Sequence, residues 1–155
     1  MKGGTLTGRN GDQIYVTNTH SVITLEDVTI TNQDSSGRLL AILGNDATRG
    51  WGTAGANGGQ VDLTTTNQTL TGAIEVDTVS TLNFTMGKGT NFTGTINIVE
   101  NAEGGTAVDN NAVITVEEGA TWTLTGNVTI TSLENKGTIN FNEYTITLAD
   151  GTVLK

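Results

Sequence analysis

The chain has 155 residues with 16 acidic and seven basic side chains, and its net charge of −9 at pH 7 disfavours binding to nucleic acid or anionic lipid. It contains 31 Thr, 21 Gly and 16 Asn but neither Pro nor Cys, which excludes a disulfide framework and a thiolate metal site. Because no Pro-rich or charged linker divides it, we expect one domain over residues 1–155.

Short strands are predicted along the whole chain, because threonines alternate with apolar residues. The phrases are Thr5-Leu6-Thr7, Thr29-Ile30-Thr31, Thr69-Leu70-Thr71, Thr123-Leu124-Thr125, Thr129-Ile130-Thr131 and Thr145-Ile146-Thr147. Successive side chains of a strand point to opposite faces, so the apolar residues face a core and the threonines face solvent. Gly and Asn between the phrases supply the positive φ angles of tight turns. The chain is predicted to be all-β.

The first residues, Met1 to Gly4, lead directly into a strand phrase without a signal peptide. No apolar run approaches the roughly 20 residues that span a bilayer. We therefore expect no membrane insertion, and we expect the chain to be a mature or excised piece of a longer protein.

The segment from Gly44 to Gly59 is rich in Gly, Asn and Ala and is predicted to be a loop. Trp51 on this loop offers a flat apolar face to a sugar ring, with Arg49 and Asn57 as hydrogen-bond partners. The alternative is that Trp51 folds back to cover a gap.

The second half of the chain repeats itself. A shift of 22 places aligns Leu70, Ile74 and Val76 with Phe92, Ile96 and Ile98. A shift of 32 aligns Leu82 with Ile114 and Phe92 with Leu124, and the longer unit is interpreted as the shorter one with a loop near residues 99–110. Such periods mark solenoids, in which each unit stacks on its neighbours.

These repeats predict a parallel β-helix (β-solenoid) of about six to seven turns of roughly 22 residues, with one or two inserted loops. An antiparallel sandwich or barrel is the alternative, but it does not require a fixed shift. The predicted inward positions are Leu70, Ile74, Val76, Leu82, Phe84, Met86, Phe92, Ile96, Ile98, Ile114, Val116, Leu124, Val128, Ile130, Ile139, Phe141, Ile146 and Leu148.

The runs at 3–8, 12–19 and 23–30, followed by 57–61, 68–72 and 77–82, carry a family resemblance. They resemble the right-handed, pectate-lyase-like parallel β-helix repeats of bacterial secreted and surface proteins, some of which are carbohydrate-binding domains. The resemblance implies an extracellular or cell-surface location and a polysaccharide or cell-surface glycan as partner.

Tyr15 is a second candidate for sugar contact, because it lies between Ile14 and Val16 and should face outwards. Trp122 shares the parity of Leu124 and is expected to fill the core or a corner.

Rows of threonines are the third candidate, since stacked turns would place Thr71 beside Thr93 and then Thr125 and Thr147. Such rows could solubilise a strand face, bind polysaccharide or order water as in ice-binding solenoids.

A calcium site is the fourth candidate. Glu75 and Asp77 flank inward Val76 and should project from one outer face, with Asn97 one turn along from Glu75. Calcium prefers about six to eight oxygen ligands, which carboxylates and amides supply. A solvated acidic face is the alternative, and no other cofactor is expected.

Catalysis has little support, because no basic residue stands among clustered acids as a polysaccharide lyase would require. We therefore expect a non-catalytic module that binds carbohydrate or mediates adhesion. The alternative is a structural solenoid that associates head to tail through uncapped ends. A lyase and an ice-binding protein are lesser alternatives.

Overall fold

The computed structural model describes residues 1–45 and 50–155, and in that part of the chain it contains 18 strands and no helix. The all-β prediction is confirmed. No helix in these two ranges is long and apolar enough to cross a membrane. The strands are β1 (Thr5–Gly8), β2 (Ile14–Val16), β3 (His20–Glu26), β4 (Thr29–Asn32), β5 (Leu40–Ile42), β6 (Gln60–Thr66), β7 (Thr69–Thr71), β8 (Ile74–Asp77), β9 (Thr81–Met86), β10 (Asn91–Thr93), β11 (Ile96–Val99), β12 (Ala112–Val116), β13 (Thr121–Thr123), β14 (Val128–Ile130), β15 (Ser132–Asn135), β16 (Thr138–Asn140), β17 (Ile146–Leu148) and β18 (Val153–Leu154).

Parallel pairing joins strands that lie three apart in the chain, as in β1 with β4 and β2 with β5, although β4 does not pair with β7. The sheet orders are β2-β5-β8-β11-β14-β17-β18, β3-β6-β9-β12-β15, β7-β10-β13-β16 and β1-β4. Among these strands only β18 pairs antiparallel, on β17. An antiparallel sandwich does not produce this order, whereas stacked parallel strands with repeated pairs are compatible with a β-solenoid.

The register confirms the predicted 22-residue repeat and confirms the 32-residue repeat only in part. Asn91 pairs with Thr69, 22 positions earlier, and Asn97 pairs with Thr129, 32 positions later. Phe92, however, pairs with Trp122 rather than with Leu124, at a step of 30. The reason is a longer corner: four residues separate β13 from β14, whereas two separate β10 from β11.

Two inserted loops interrupt the stacking, as predicted. Residues 43–59 separate β5 from β6, and residues 100–111 separate β11 from β12. The two loops are in contact at Gly55 and Gly105. The Gly55 carbonyl oxygen lies so close to Gly105 that a Cβ atom at position 105 would overlap it. Together they cover part of the seven-stranded sheet.

One apolar core runs between the sheets. All the predicted inward residues contribute to it, with Ile98, Ile139, Phe141 and Leu148 only partly buried. Trp122 is fully buried, as expected, and its ring stacks on Phe92 with a centroid distance of 5.9 Å. Its indole Nε1 donates to the Gly94 carbonyl oxygen at 3.1 Å, which satisfies its polar atom.

Residues with positive φ turn the chain into successive strands of the four-stranded sheet. Asn67, Gly89 and Gly119 each lie two residues before β7, β10 and β13, with φ of 47°, 78° and 81°. Asp27 holds the same position before β4, with φ of 53°. Asn, Asp and Gly tolerate this conformation best, which explains their use at these corners.

Candidate functional site

Two rows of neutral polar side chains cover the outer side of β1, β4, β7, β10, β13 and β16. We call this surface the Thr-Asn face. The strand registers place Thr69, Asn91, Thr121 and Thr138 in one row and Thr71, Thr93, Thr123 and Asn140 in the other. On the far side of the unpaired gap between β4 and β7, Thr5 pairs with Thr29 and Thr7 with Thr31.

The face forms because the residue between the two rows points inwards in every strand. Leu70, Phe92 and Trp122 at these positions are fully buried, whereas the residues of both rows are exposed or half-buried. Stacked strands repeat about every 4.8 Å, and alternate residues of one strand are about 6.6 Å apart. These strands therefore carry a repeated array of hydroxyl and amide groups, and none of the residues named in the two rows is charged.

The predicted threonine row is partly wrong. Thr71 and Thr93 are neighbours as expected, but Thr93 pairs next with Thr123 rather than with Thr125. Thr125 lies in the long corner after β13, and Thr147 pairs with Thr129 in a different sheet. The two extra residues in that corner shift the register and hide the true row from a fixed repeat.

The Thr-Asn face is interrupted by a cleft of about 530 Å³ between β4 and β7, which we call the β4–β7 cleft. Val28, Ile30 and Leu39 line it together with hydroxyl and amide side chains. At one end, Gln68 exchanges two hydrogen bonds with Val28: the Val28 N–H donates to Gln68 Oε1 at 3.0 Å, and Gln68 Nε2 donates to the Val28 carbonyl at 2.8 Å.

Sequence reasoning missed this cleft. The phrases at Thr29 to Thr31 and Thr69 to Thr71 look alike, and nothing in them shows that β4 and β7 do not pair. A signal did exist, since a buried Gln68 replaces the apolar or small residues that precede the other strands, such as Val28, Thr90 and Ala120.

The loop that carries Trp51 is held by its own hydrogen bonds. Trp51 is 38% exposed, and its carbonyl oxygen accepts a hydrogen bond from the side chain of Asn45. The Asn57 amide accepts from the Thr53 N–H at 3.0 Å and donates to Asn18 at 3.1 Å. The predicted sugar partner Asn57 therefore holds the loop, while Arg49 lies outside the described residues.

Tyr15 lies on a different sheet from the Thr-Asn face. It pairs with Ala41, which pairs with Glu75, on the outer side of the seven-stranded sheet. Its side chain is half-buried, and Val16 beside it is buried in the core. The structure therefore does not bring Tyr15 together with Thr71 and Thr93.

The three predicted calcium ligands have separate partners. The Glu75 carboxylate forms an ion pair with Arg38, which also contacts Asp12 at 2.8 Å. These two acidic side chains raise the pKa of Arg38, with Asp12 as the larger cause. Asn97 lies beside Glu75 as expected, and its Oδ1 accepts the Thr129 N–H at 2.8 Å.

Asp77 was expected on the outer face, but it is 1% exposed because the two inserted loops cover it. Its Oδ2 accepts hydrogen bonds from the Gly44 N–H and from Asn101 Nδ2, each at 2.6 Å. Among the residues that the structure describes, its Oδ1 has no hydrogen-bond partner. Within residues 1–45 and 50–155, no three His, Cys, Asp or Glu side chains are grouped as metal ligands.

His20 and Asp62 form another polar contact, on the outer side of the five-stranded sheet. His20 Nε2 lies 2.7 Å from Asp62 Oδ2, and Asn83 Nδ2 donates to Asp62 Oδ1 at 2.9 Å. Both hydrogen bonds lower the pKa of Asp62, and the bond from Asn83 has the larger effect. This pair lies on a different sheet from the Thr-Asn face.

Comparisons with known proteins give no relative from which a site could be transferred. No protein-family model matches the chain, and no curated protein or solved structure matches it either.

Proposed function

We propose that the chain is a parallel β-helix (β-solenoid) module, similar to the pectate-lyase-like repeats of bacterial secreted and surface proteins. Its proposed role is non-catalytic carbohydrate binding or adhesion at the cell surface or outside the cell. Strand pairing at intervals of three along the chain supports the fold.

The Thr-Asn face is the observation that supports the function. Hydroxyl and amide groups both donate and accept hydrogen bonds, as sugar hydroxyls do. The two rows of the face are uncharged and repeated, so that a long polysaccharide can make many weak contacts whose effects combine. The proposed partner is accordingly a polysaccharide or a cell-surface glycan.

A glycan array tests this function. The protein is expected to be retained on at least one neutral polysaccharide, and the double variant Thr93→Val and Thr123→Val should lose most of that retention. Val keeps the shape and strand propensity of Thr but lacks its hydroxyl. Trp51→Ala measures what the loop contributes to the same binding.

Thr64→Val is the matched control, because Thr64 is an exposed strand threonine on the five-stranded sheet. It should bind like the wild type. An array without any retained glycan would remove the proposed function. Inhibition of ice growth that depends on Thr93 and Thr123 would instead assign the face to ordering water.

A structural role is the second candidate, and the end of the stack supports it. A cleft of about 450 Å³ at β15 and β16 is lined by Leu133, Ile139, Phe141, Val153 and Leu154. Val153 is 54% exposed. Apolar side chains and a strand edge at one end of a stack suit head-to-tail association with a second copy.

A further inference from the structure

The β4–β7 cleft is a local opening in an otherwise continuous stack. In the other two sheets the strands next to β4 and β7 in the chain are paired without a break, as β2-β5-β8 and β3-β6-β9. Only the side that carries the Thr-Asn face is divided, into β1-β4 and β7-β10-β13-β16. The volume of about 530 Å³ falls in the range of small-molecule sites.

The β4 wall of the cleft presents backbone groups that no strand bonds. In a parallel ladder, alternate residues direct their N–H and C=O groups to opposite neighbours. The Thr29 N–H donates to the Gly4 carbonyl at 2.9 Å, which directs Thr29 towards β1. Ile30 and Asn32 therefore direct their backbone groups to the cleft.

The β7 wall has the same property. The Asn91 N–H donates to the Gln68 carbonyl at 2.8 Å, and the Gly72 N–H donates to the Thr93 carbonyl at 3.0 Å. By the same alternation, Thr69 and Thr71 direct their backbone groups away from β10 and into the cleft. Both walls thus offer hydrogen-bond donors and acceptors.

Hydrogen bonds between neighbouring turns of the chain mark both ends of the cleft, which limits the length of its ligand. At one end the buried Gln68 amide bonds Val28 and also donates to the Thr69 carbonyl at 2.9 Å. At the other end the Leu39 N–H donates to the Ala73 carbonyl at 2.9 Å. About four residues of strand, or roughly 13 Å, lie between these contacts. A peptide strand needs an open passage, whereas a short ligand fits this length.

The lining also limits the charge of the ligand. Among the described residues that line the cleft, Asp27 is the one charged residue and none is basic. A phosphate, sulfate or uronate group would therefore lack a cationic partner. Val28, Ile30 and Leu39 offer apolar contacts beside the polar walls.

We propose that the β4–β7 cleft binds one or two rings of a neutral saccharide. Sugar hydroxyls, which both donate and accept, bond the backbone groups of β4 and β7 that no neighbouring strand pairs, and the C–H faces of the ring contact the apolar lining. This inference rests on the proposed carbohydrate function and narrows it to a defined site.

Backbone amide chemical shifts in the full chain test the site. The probes are glucose, mannose, galactose, N-acetylglucosamine and their β-1,4 disaccharides, with glucuronic acid as the charged comparison. A neutral sugar is expected to shift the amides of Ile30, Asn32, Thr69 and Thr71, while glucuronic acid binds more weakly.

Thr71→Trp is designed to block the mouth of the cleft, because Thr71 is exposed and aromatic residues suit strands. It should weaken sugar binding about tenfold or more. The control Thr64→Trp, on another sheet, should bind normally. Circular dichroism and the dispersion of the remaining amides show that both variants fold.

Binding that survives Thr71→Trp, with shifts centred on β10 and β13, would overturn the cleft site and leave the proposed function standing. No binding of any saccharide, here or on the array, would overturn both. Shifts caused by an extended peptide but by no sugar would also overturn the proposal and would indicate strand addition.

Discussion

The two tryptophans occupy opposite environments. Trp122 is fully buried, stacked on Phe92 and bonded through Nε1, whereas Trp51 is 38% exposed on a loop. Single-tryptophan variants should therefore differ in fluorescence. Trp51→Phe, which keeps Trp122, should emit at shorter wavelength than Trp122→Phe. Equal emission maxima would contradict the fold.

The same two residues should differ in their effect on stability. Trp122→Ala leaves a large cavity and should lower the free energy of unfolding by about 3–5 kcal/mol. Trp51→Ala should change it by about 0.5 kcal/mol or less, as exposed positions usually do. Urea unfolding of both variants measures the difference, and a stable Trp122→Ala protein would argue against this core.

Asp34 gives a prediction for pH. Its carboxylate accepts hydrogen bonds from Ser36 Oγ at 2.6 Å, from the Ser36 N–H at 2.9 Å and from the Gly11 N–H at 2.8 Å. These bonds lower the pKa of Asp34 from 3.8 to about 2, and the bond from Ser36 Oγ has the largest effect. Because this pKa is lowered by folding, the contribution to stability is complete above about 3.8 and is lost as pH falls towards 2.

Carbon-13 chemical shifts of the carboxyl group, followed through an acid titration, measure the pKa of Asp34 directly. The Gly11 amide should exchange faster over the same interval, because its acceptor becomes protonated. Asp150 serves as the control, since its lowered pKa arises from a separate turn at Thr152. A pKa of Asp34 near 3.8 would contradict the three bonds.

At the scale of the strands, Gln68 substitutes for a missing pairing. Its side chain bonds both backbone groups of Val28, as a neighbouring strand would do. Gln68→Ala should leave these buried groups without partners, at a cost of about 1–3 kcal/mol for each. Hydrogen exchange should show faster opening at the Val28 amide.

Gln60→Ala is the control for this change, because Gln60 is exposed at the start of β6. It should leave the exchange rate at Val28 unaltered. Unchanged protection of Val28 in Gln68→Ala would mean that the amide bridge does not hold the two strands together.

For the whole molecule, the apolar end of the stack predicts self-association. If copies meet head to tail there, the apparent mass should rise with concentration, and fibres should be visible by electron microscopy. Val153→Lys places a charge on β18 and should abolish both effects. Val108→Lys, at an exposed position in an inserted loop, should not.

Light scattering coupled to size exclusion, over a wide range of concentration, measures this association. A monodisperse monomer throughout that range would contradict the structural role. It would leave the carbohydrate-binding proposal unaffected, because the Thr-Asn face lies along the side of the stack.

The alternation of apolar and polar residues predicted correctly which side chains point to the core. The sequence repeats predicted the register between strands only in part. Leu70 and Phe92 stack as the 22-residue repeat requires, because their corners have equal length. Phe92 stacks on Trp122 rather than on Leu124, because the next corner is longer. The length of a repeat is the sum of its strands and its corners. A single shift therefore cannot align all the strands of two turns whose corners differ in length.

The candidate sites were harder to predict, because they depend on which segments lie over others. Asp77 alternates with Val76 in the sequence as a solvent-facing residue, yet Gly44 and Asn101 cover it. These partners are 33 and 24 positions away, and no local pattern reports such contacts.

The sequence by itself determined the all-β class, the inward residues from Leu70 onwards and the outward direction of most threonines, because side-chain alternation is a property of each strand alone. The tertiary structure decided which threonines share a row, which acid is buried and where the stack opens. These features depend on pairing between distant strands and on the lengths of the corners and loops that connect them.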